Sequence, residues 1–94
     1  MNALHLQARR VLYTGHVQGV GFRYTARRIA QGYSISGFVR NLSDGRVELV
    51  AEGSAAELDK FLAEIATTMS DHIRHVDMQS GRATGNFHSF EIAR

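Results

Sequence analysis

Between residues 15 and 23 the chain reads Gly15-His16-Val17-Gln18-Gly19-Val20-Gly21-Phe22-Arg23. Three glycines in seven residues allow a backbone turn in which successive N–H groups converge. An apolar pattern of helical period begins at Phe22, directly after that turn. A helix start carries unpaired amides and about half a positive charge, so a loop leading into one can hold an anion, phosphate above all. The converging amides are those of Gln18, Gly19, Val20, Gly21, Phe22 and Arg23. Arg23 falls in the first helical turn, where its guanidinium can fold back over the same cradle, and arginine suits bidentate recognition of phosphate. The loop is not a Walker loop, since Val20 stands five residues beyond Gly15 and no Lys-Thr follows. It is not a dinucleotide fingerprint either, since a third glycine is missing. On residue types alone, an anion cradle and a tight chain reversal both remain open.

Other candidate chemistry is thinner. Asn41 heads Asn41-Leu42-Ser43-Asp44-Gly45, a composition in which asparagine ordinarily forms a turn. The sequon Asn41-Leu42-Ser43 is set aside in a chain without cysteine or an export signal. Of the five histidines, His72 and His75 flank Ile73-Arg74, but three apart on a strand they face opposite sides, so no metal site is expected. His16 lies in the glycine loop without an assigned role, and His5 and His88 are scattered. Asp44 and Glu48 read as hairpin and outward strand residues. The absence of cysteine rules out disulfide scaffolds, thiolate metal sites and cysteine nucleophiles.

Charge is distributed unevenly. Residues 9–46 hold seven arginines and one acid, whereas residues 47–94 hold four bases and eight acids. That asymmetry points to an anionic partner near the first half, with a solvated basic helix face as the plain alternative.

The elements that must position these residues follow from periodicity. A short strand over residues 11–14 ends at Gly15. A helix follows with Phe22, Ala26, Ile29, Ala30 and Tyr33 on one stripe, fraying near Gly32. Residues 36–42 and 46–52 form two strands joined by the hairpin signal Ser43-Asp44-Gly45. In the second of these, Val47, Leu49 and Ala51 point inward and Glu48, Val50 and Glu52 outward. Ser54-Ala55-Ala56-Glu57 is a capping box opening a helix with the stripe Leu58, Phe61, Leu62, Ile65 and Met69. A fourth strand covers residues 73–78, a loop residues 80–86, and a last strand residues 87–93, with Phe90 and Ile92 inward. The order βαββαβ gives an α+β, ferredoxin-like α/β sandwich, an antiparallel sheet with both helices on one face. Residues 1–7 are expected as a mobile arm and residues 8–94 of the 94-residue chain as one domain. No apolar run reaches the length of a membrane span, and a cytoplasmic location is expected.

Two blocks carry a specific resemblance: residues 15–23, quoted above, and Gly37-Phe38-Val39-Arg40-Asn41-Leu42-Ser43-Asp44-Gly45-Arg46-Val47-Glu48. Both, in this order and spacing, resemble the signature of the acylphosphatase family, and Phe90-Glu91-Ile92 fits its closing strand. The resemblance runs from about residue 9 to the end. It implies hydrolysis of a small-molecule acyl phosphate to a carboxylate and inorganic phosphate, with no cofactor, no metal and no covalent intermediate. It further implies that Arg23 binds the phosphoryl oxygens beside the loop amides and that Asn41 orients the attacking water. Inorganic phosphate or sulfate is expected to compete, and the protein to be a monomer. In some members the terminal carboxylate steadies the arginine; here the last residue is Arg94. A nucleic-acid-binding reading finds no paired aromatics on the third strand. A regulatory acylphosphatase-like module, as in a hydrogenase maturation factor, usually has proline after the arginine, where this chain has Tyr24.

Overall fold

The computed structural model describes residues 6–94. In chain order the elements are β1 (Leu6–Gly15), α1 (Phe22–Ala30), β2 (Ile35–Asn41), β3 (Val47–Ser54), α2 (Ala55–Thr68), β4 (Ile73–Arg82) and β5 (Phe90–Ile92). One five-stranded sheet has the order β4-β1-β3-β2-β5. Helix α1 packs on β2 and β5, α2 packs on β3 and β1, and the two helices touch. They therefore share one face, as the periodicity requires.

Strand alternation supplies the floor of the core: Val11 and Tyr13 from β1, Val39 from β2, and Val47, Leu49 and Ala51 from β3. The helix stripes supply its roof, with Phe22, Ala26, Ile29 and Ala30 from α1 and Leu58, Phe61, Ile65 and Met69 from α2. Tyr33 and Leu62, also on the stripes, are only partly buried against this cluster. Phe90 brings β5 into the core by meeting Phe61 edge-on, with ring centroids 5.5 Å apart.

The sheet is mixed rather than wholly antiparallel, because β5 runs parallel to β2. The connection explains this. Strand β4 descends to the end of the sheet where β1 begins, since Arg82 pairs with Gln7. The chain then crosses beneath the sheet to its other edge and can only ascend again, in the direction of β2. Glu52 holds that crossing: its buried carboxylate accepts from Thr84 N and Oγ1 (both 2.8 Å) and from Gly85 N (3.0 Å).

Four further details depart from the periodicity. Strand β4 continues to Arg82, where a loop was expected, because β1 itself starts at Leu6 and gives residues 80–82 a partner. Leu6 and Gln7 thus belong to the sheet and not to an arm; residues 1–5 lie outside the described residues. The last strand is shorter than expected, Phe90–Ile92. The capping box is half made. Ser54 Oγ accepts from Glu57 N, but Glu57 reaches across to accept from Ser34 N at 2.8 Å.

The outward face of β3 is also not simply solvated. Glu48 is 4% exposed, with Arg10 Nε donating to Oε2 at 2.7 Å and Arg40 Nε donating to Oε1 at 2.6 Å. One carboxylate thereby ties β1, β2 and β3 together. Burial pushes its pKa up, but the two guanidinium hydrogen bonds outweigh that and hold it below the ordinary 4.5.

A carboxyl with a lowered folded-state pKa contributes stability above its unfolded pKa and loses it as pH falls through the folded value. Glu48→Gln is therefore expected to lower unfolding free energy at neutral pH by about 1–2 kcal/mol. That is less than the loss for a fully buried pair, because both arginines are half exposed. In paired denaturation curves, the gap between variant and wild type should narrow progressively as pH drops below 4.5. A gap independent of pH would show that Glu48 acts by shape alone.

Candidate anion-binding site

The loop between β1 and α1 is fixed at both ends by apolar contacts. Tyr13 and Phe22, both fully buried, bring their rings to a centroid distance of 4.9 Å, a pairing worth about 0.5–1.5 kcal/mol beyond the area buried. Val17 is buried between them in sequence. Gly19 and Gly21 have φ of 76° and 78°, left-handed values that side chains rarely adopt. A Cβ at either position would meet nothing within 4 Å, so backbone conformation and not crowding calls for glycine there.

Gly21 is the N-cap of α1. It offers no side-chain cap, and no acid stands in the first turn. Among the described residues, the amides of Gly19, Val20 and Gly21 donate to no acceptor, and those of Phe22, Arg23 and Tyr24 have no carbonyl one turn back to bond. The helix begins with a set of free donors.

Across the loop stands the β2–β3 hairpin. Alternation along β2 puts Arg40 on the open face, bonded to Glu48, and Val39 and Asn41 on the helix side. The turn itself is closed without Asn41. Leu42 N donates to Arg46 O (2.8 Å), Gly45 N donates to Leu42 O (3.2 Å), and Asp44 accepts from Arg46 N (3.0 Å) and Nε (2.9 Å). Asn41 is therefore not the turn former its composition suggests. Its Oδ1 is cut off from solvent and accepts no hydrogen bond among the described residues. Buried acceptors in that condition are few, and a functional role is one of the standard reasons for them.

Gln18 joins the two halves. Its Nε2 donates to Leu42 O at 2.8 Å and to Arg46 O at 2.9 Å. The loop is thus clamped to the residue that follows Asn41.

Between loop and hairpin lies a pocket of about 220 Å³ lined by Val17, Gly19, Gly21, Phe22, Arg23, Tyr24 and Asn41. Of the residues singled out in sequence, the fold brings Gly19, Gly21, Phe22, Arg23 and Asn41 together here. Gln18 and Val20 do not line the pocket: Gln18 turns its side chain to the hairpin, and Val20 packs against the core. Val17 and Tyr24 were not anticipated. Val17 carries no chemical signal, and Tyr24 lies off the apolar stripe of α1, where only its place beside Arg23 marks it.

Electrostatics favour an anion. Arg23 forms no ion pair among the described residues, whereas Arg9, Arg10, Arg27, Arg40 and Arg46 all have acidic partners. Four of these five arginines pair with acids of the second half and Arg46 with Asp44 of its own, which partly neutralises the basic surplus and leaves Arg23 available at the pocket. The terminal carboxylate of Arg94 makes no ion pair with Arg23. His16 is exposed and lies outside the lining. Among the described residues, no three of His, Cys, Asp and Glu converge as a metal site requires. No helix among them is long and apolar enough to cross a membrane.

Residues 9–92 match the family model described as acylphosphatase. The chain is 48% identical over 80 residues to an acylphosphatase of Paenarthrobacter aurescens, covering 84% of this chain and 85% of the relative. It is 39% identical over 89 residues to one of Archaeoglobus fulgidus, covering 88% and 93%. In three dimensions it is similar to the crystal structure of acylphosphatase from Bacillus subtilis, with a TM-score of 0.80, 32% identity and coverage of 95% and 99%. It is also similar to part of full-length HypF in the phosphate- and nucleotide-bound form. There the TM-score is 0.81, the identity 28%, and the match covers 95% of this chain but 12% of that one.

Removing the Gln18 clamp separates loop position from fold. Gln18→Ala deletes two hydrogen bonds, while Leu42 O and Arg46 O each keep a backbone partner. The expected loss is about 1–2 kcal/mol, or roughly 5–10 °C in a domain of this size. Affinity for inorganic phosphate, measured by calorimetry below the transition, should fall several-fold. Undiminished affinity would show that the loop holds its shape without the hairpin.

Proposed function

Because the chain belongs to the acylphosphatase family, and so hydrolyses the carboxyl–phosphate bond of acyl phosphates, we propose that its 220 Å³ pocket is where this happens. The observation that carries the proposal is the coincidence of three unsatisfied sets of groups on one pocket: the first-turn amides of α1, the unpaired Arg23, and the solvent-excluded Oδ1 of Asn41. Donors and positive charge line the same pocket as Asn41, whose Oδ1 has no partner among the described residues.

In this reading the phosphoryl group lies on the amides of Gly19, Val20, Gly21, Phe22 and Arg23, with the Arg23 fork on two of its oxygens. The Asn41 carboxamide orients a water and aims the lone pair of that water at phosphorus. The new P–O bond forms as the bond to the carboxylate oxygen breaks. The carboxylate leaves with the bonding pair, and the water's proton passes to a phosphoryl oxygen. The leaving group is good and the transition state loose, so positioning and charge stabilisation suffice without a strong base. Inorganic phosphate and sulfate present the same oxygens and should compete for the cradle. The reading is of a cytoplasmic monomer.

Two substitutions test the assignment with benzoyl phosphate as substrate. Asn41→Ala should lower kcat by about 10²-fold or more while changing the inhibition constant of phosphate little, since an amide that aims water acts mainly in the transition state. Equal losses in both would make Asn41 a substrate-binding residue. Arg23→Lys should be nearly as damaging as Arg23→Ala, about 10²- to 10³-fold, because a lysine keeps the charge but not the fork. A lysine variant with most of the wild-type rate would refute bidentate recognition.

A further inference from the structure

Among the described residues, three large hydrophobic side chains are markedly exposed: Tyr24, Val76 and Met78. Val76 and Met78 lie two apart on the uncovered edge strand β4. Tyr24 stands alone, on the first turn of α1, and is 68% exposed while lining the pocket. The remaining lining divides cleanly. Val17 and Phe22 are apolar but buried in the core at 1% and 2% exposure. Gly19 and Gly21 have no side chain, and Arg23 and Asn41 are polar. Any apolar contact available to a group projecting from the pocket mouth must therefore come from Tyr24.

We propose that Tyr24 forms the acyl-group subsite, a ring on which the flat, apolar part of an aromatic acyl phosphate stacks while the phosphoryl end is held by the loop. This rests on the assignment of the loop and Arg23 as the phosphoryl site. The geometry of that site gives the reason. With the phosphoryl group on the α1 amides, the acyl group projects from the pocket mouth, where Tyr24 is the exposed aromatic side chain of the lining. Tyr24 follows Arg23 immediately on that turn. An exposed aromatic ring keeps its face free for a second ring, and offset or edge-on pairs are favourable beyond the area they bury. A methyl group in the same place covers little of the ring. The selectivity is accordingly modest and favours aryl over small alkyl acyl phosphates. The phenol makes no hydrogen bond among the described residues, and Tyr24→Phe separates its part from that of the ring.

The test compares benzoyl phosphate with acetyl phosphate on wild type, Tyr24→Ala and Tyr24→Phe, reading the ratio of the two kcat/KM values. Tyr24→Ala should lower that ratio about 3- to 10-fold, chiefly through a higher KM for benzoyl phosphate, and Tyr24→Phe should keep it. As a readout independent of turnover, benzylphosphonate should lose more affinity than methylphosphonate in the alanine variant. An unchanged ratio, with both phosphonates weakened equally or not at all, would overturn the subsite. If the wild type itself bound neither phosphonate in competition with phosphate, the failure would lie in the assignment of the phosphoryl site. Thermal midpoints of the variants should stay close to wild type, because the side chain is mostly in solvent.

Discussion

Helix α2 begins in the ordinary way, with Ser54 Oγ accepting from Glu57 N. Helix α1 begins at Gly21, in a left-handed conformation, with no side chain to cap it. Its first-turn amides thus keep their hydrogen-bonding capacity and their share of the helix dipole, at a pocket also lined by Arg23, unpaired among the described residues, and by Asn41, whose buried Oδ1 has no partner among them. In the proposed reading the chemistry depends on that uncapped start. An acidic or hydroxylic cap at residue 21 would take up one of these amides internally and, if acidic, repel an entering anion.

The rest of the molecule holds this start in register with Asn41. The Tyr13–Phe22 contact fixes α1 to β1 on either side of the loop. Glu48 ties β1 to β2 through Arg10 and Arg40 on the opposite face of the sheet, directly behind the strand end that bears Asn41. Gln18 bridges the remaining gap from loop to hairpin. Each tie is a small interaction, and positioning at a site can still be sensitive to all of them, since displacement of about 1 Å can cost about 10²-fold in rate.

Much of this was legible in the residues. Phe22, Ala26, Ile29 and Ala30 gave α1 its buried face, and Val47, Leu49 and Ala51 gave β3 its inward side, because both periods repeat without interruption. The glycine loop read as an anion cradle or a tight reversal, and the resemblance of two blocks to a family signature set Arg23 and Asn41 apart. What could not be read depends on distant partners. The parallel placement of β5 follows from where the chain crosses, and that crossing is held by Glu52, which looks like a plain outward acid. The extension of β4 through Arg82 depends on β1 beginning at Leu6. Gln18 looked like an amide in the cradle, but its side chain spans 24 and 28 residues of sequence to its two acceptors. Tyr24 interrupts no pattern, and only its exposure on the pocket wall distinguishes it.

The central claim is that the uncapped start of α1, with Arg23 and Asn41, forms one anion site. An amide NMR titration with inorganic phosphate tests it most directly. The account predicts saturable shifts concentrated in the backbone amides of residues 19–24 and in the side-chain amide of Asn41, abolished in Arg23→Ala, with the open face of the sheet undisturbed. Shifts centred on Arg10, Arg40 and the crossing at residues 84–87, or spread without saturation over the arginines, would contradict it.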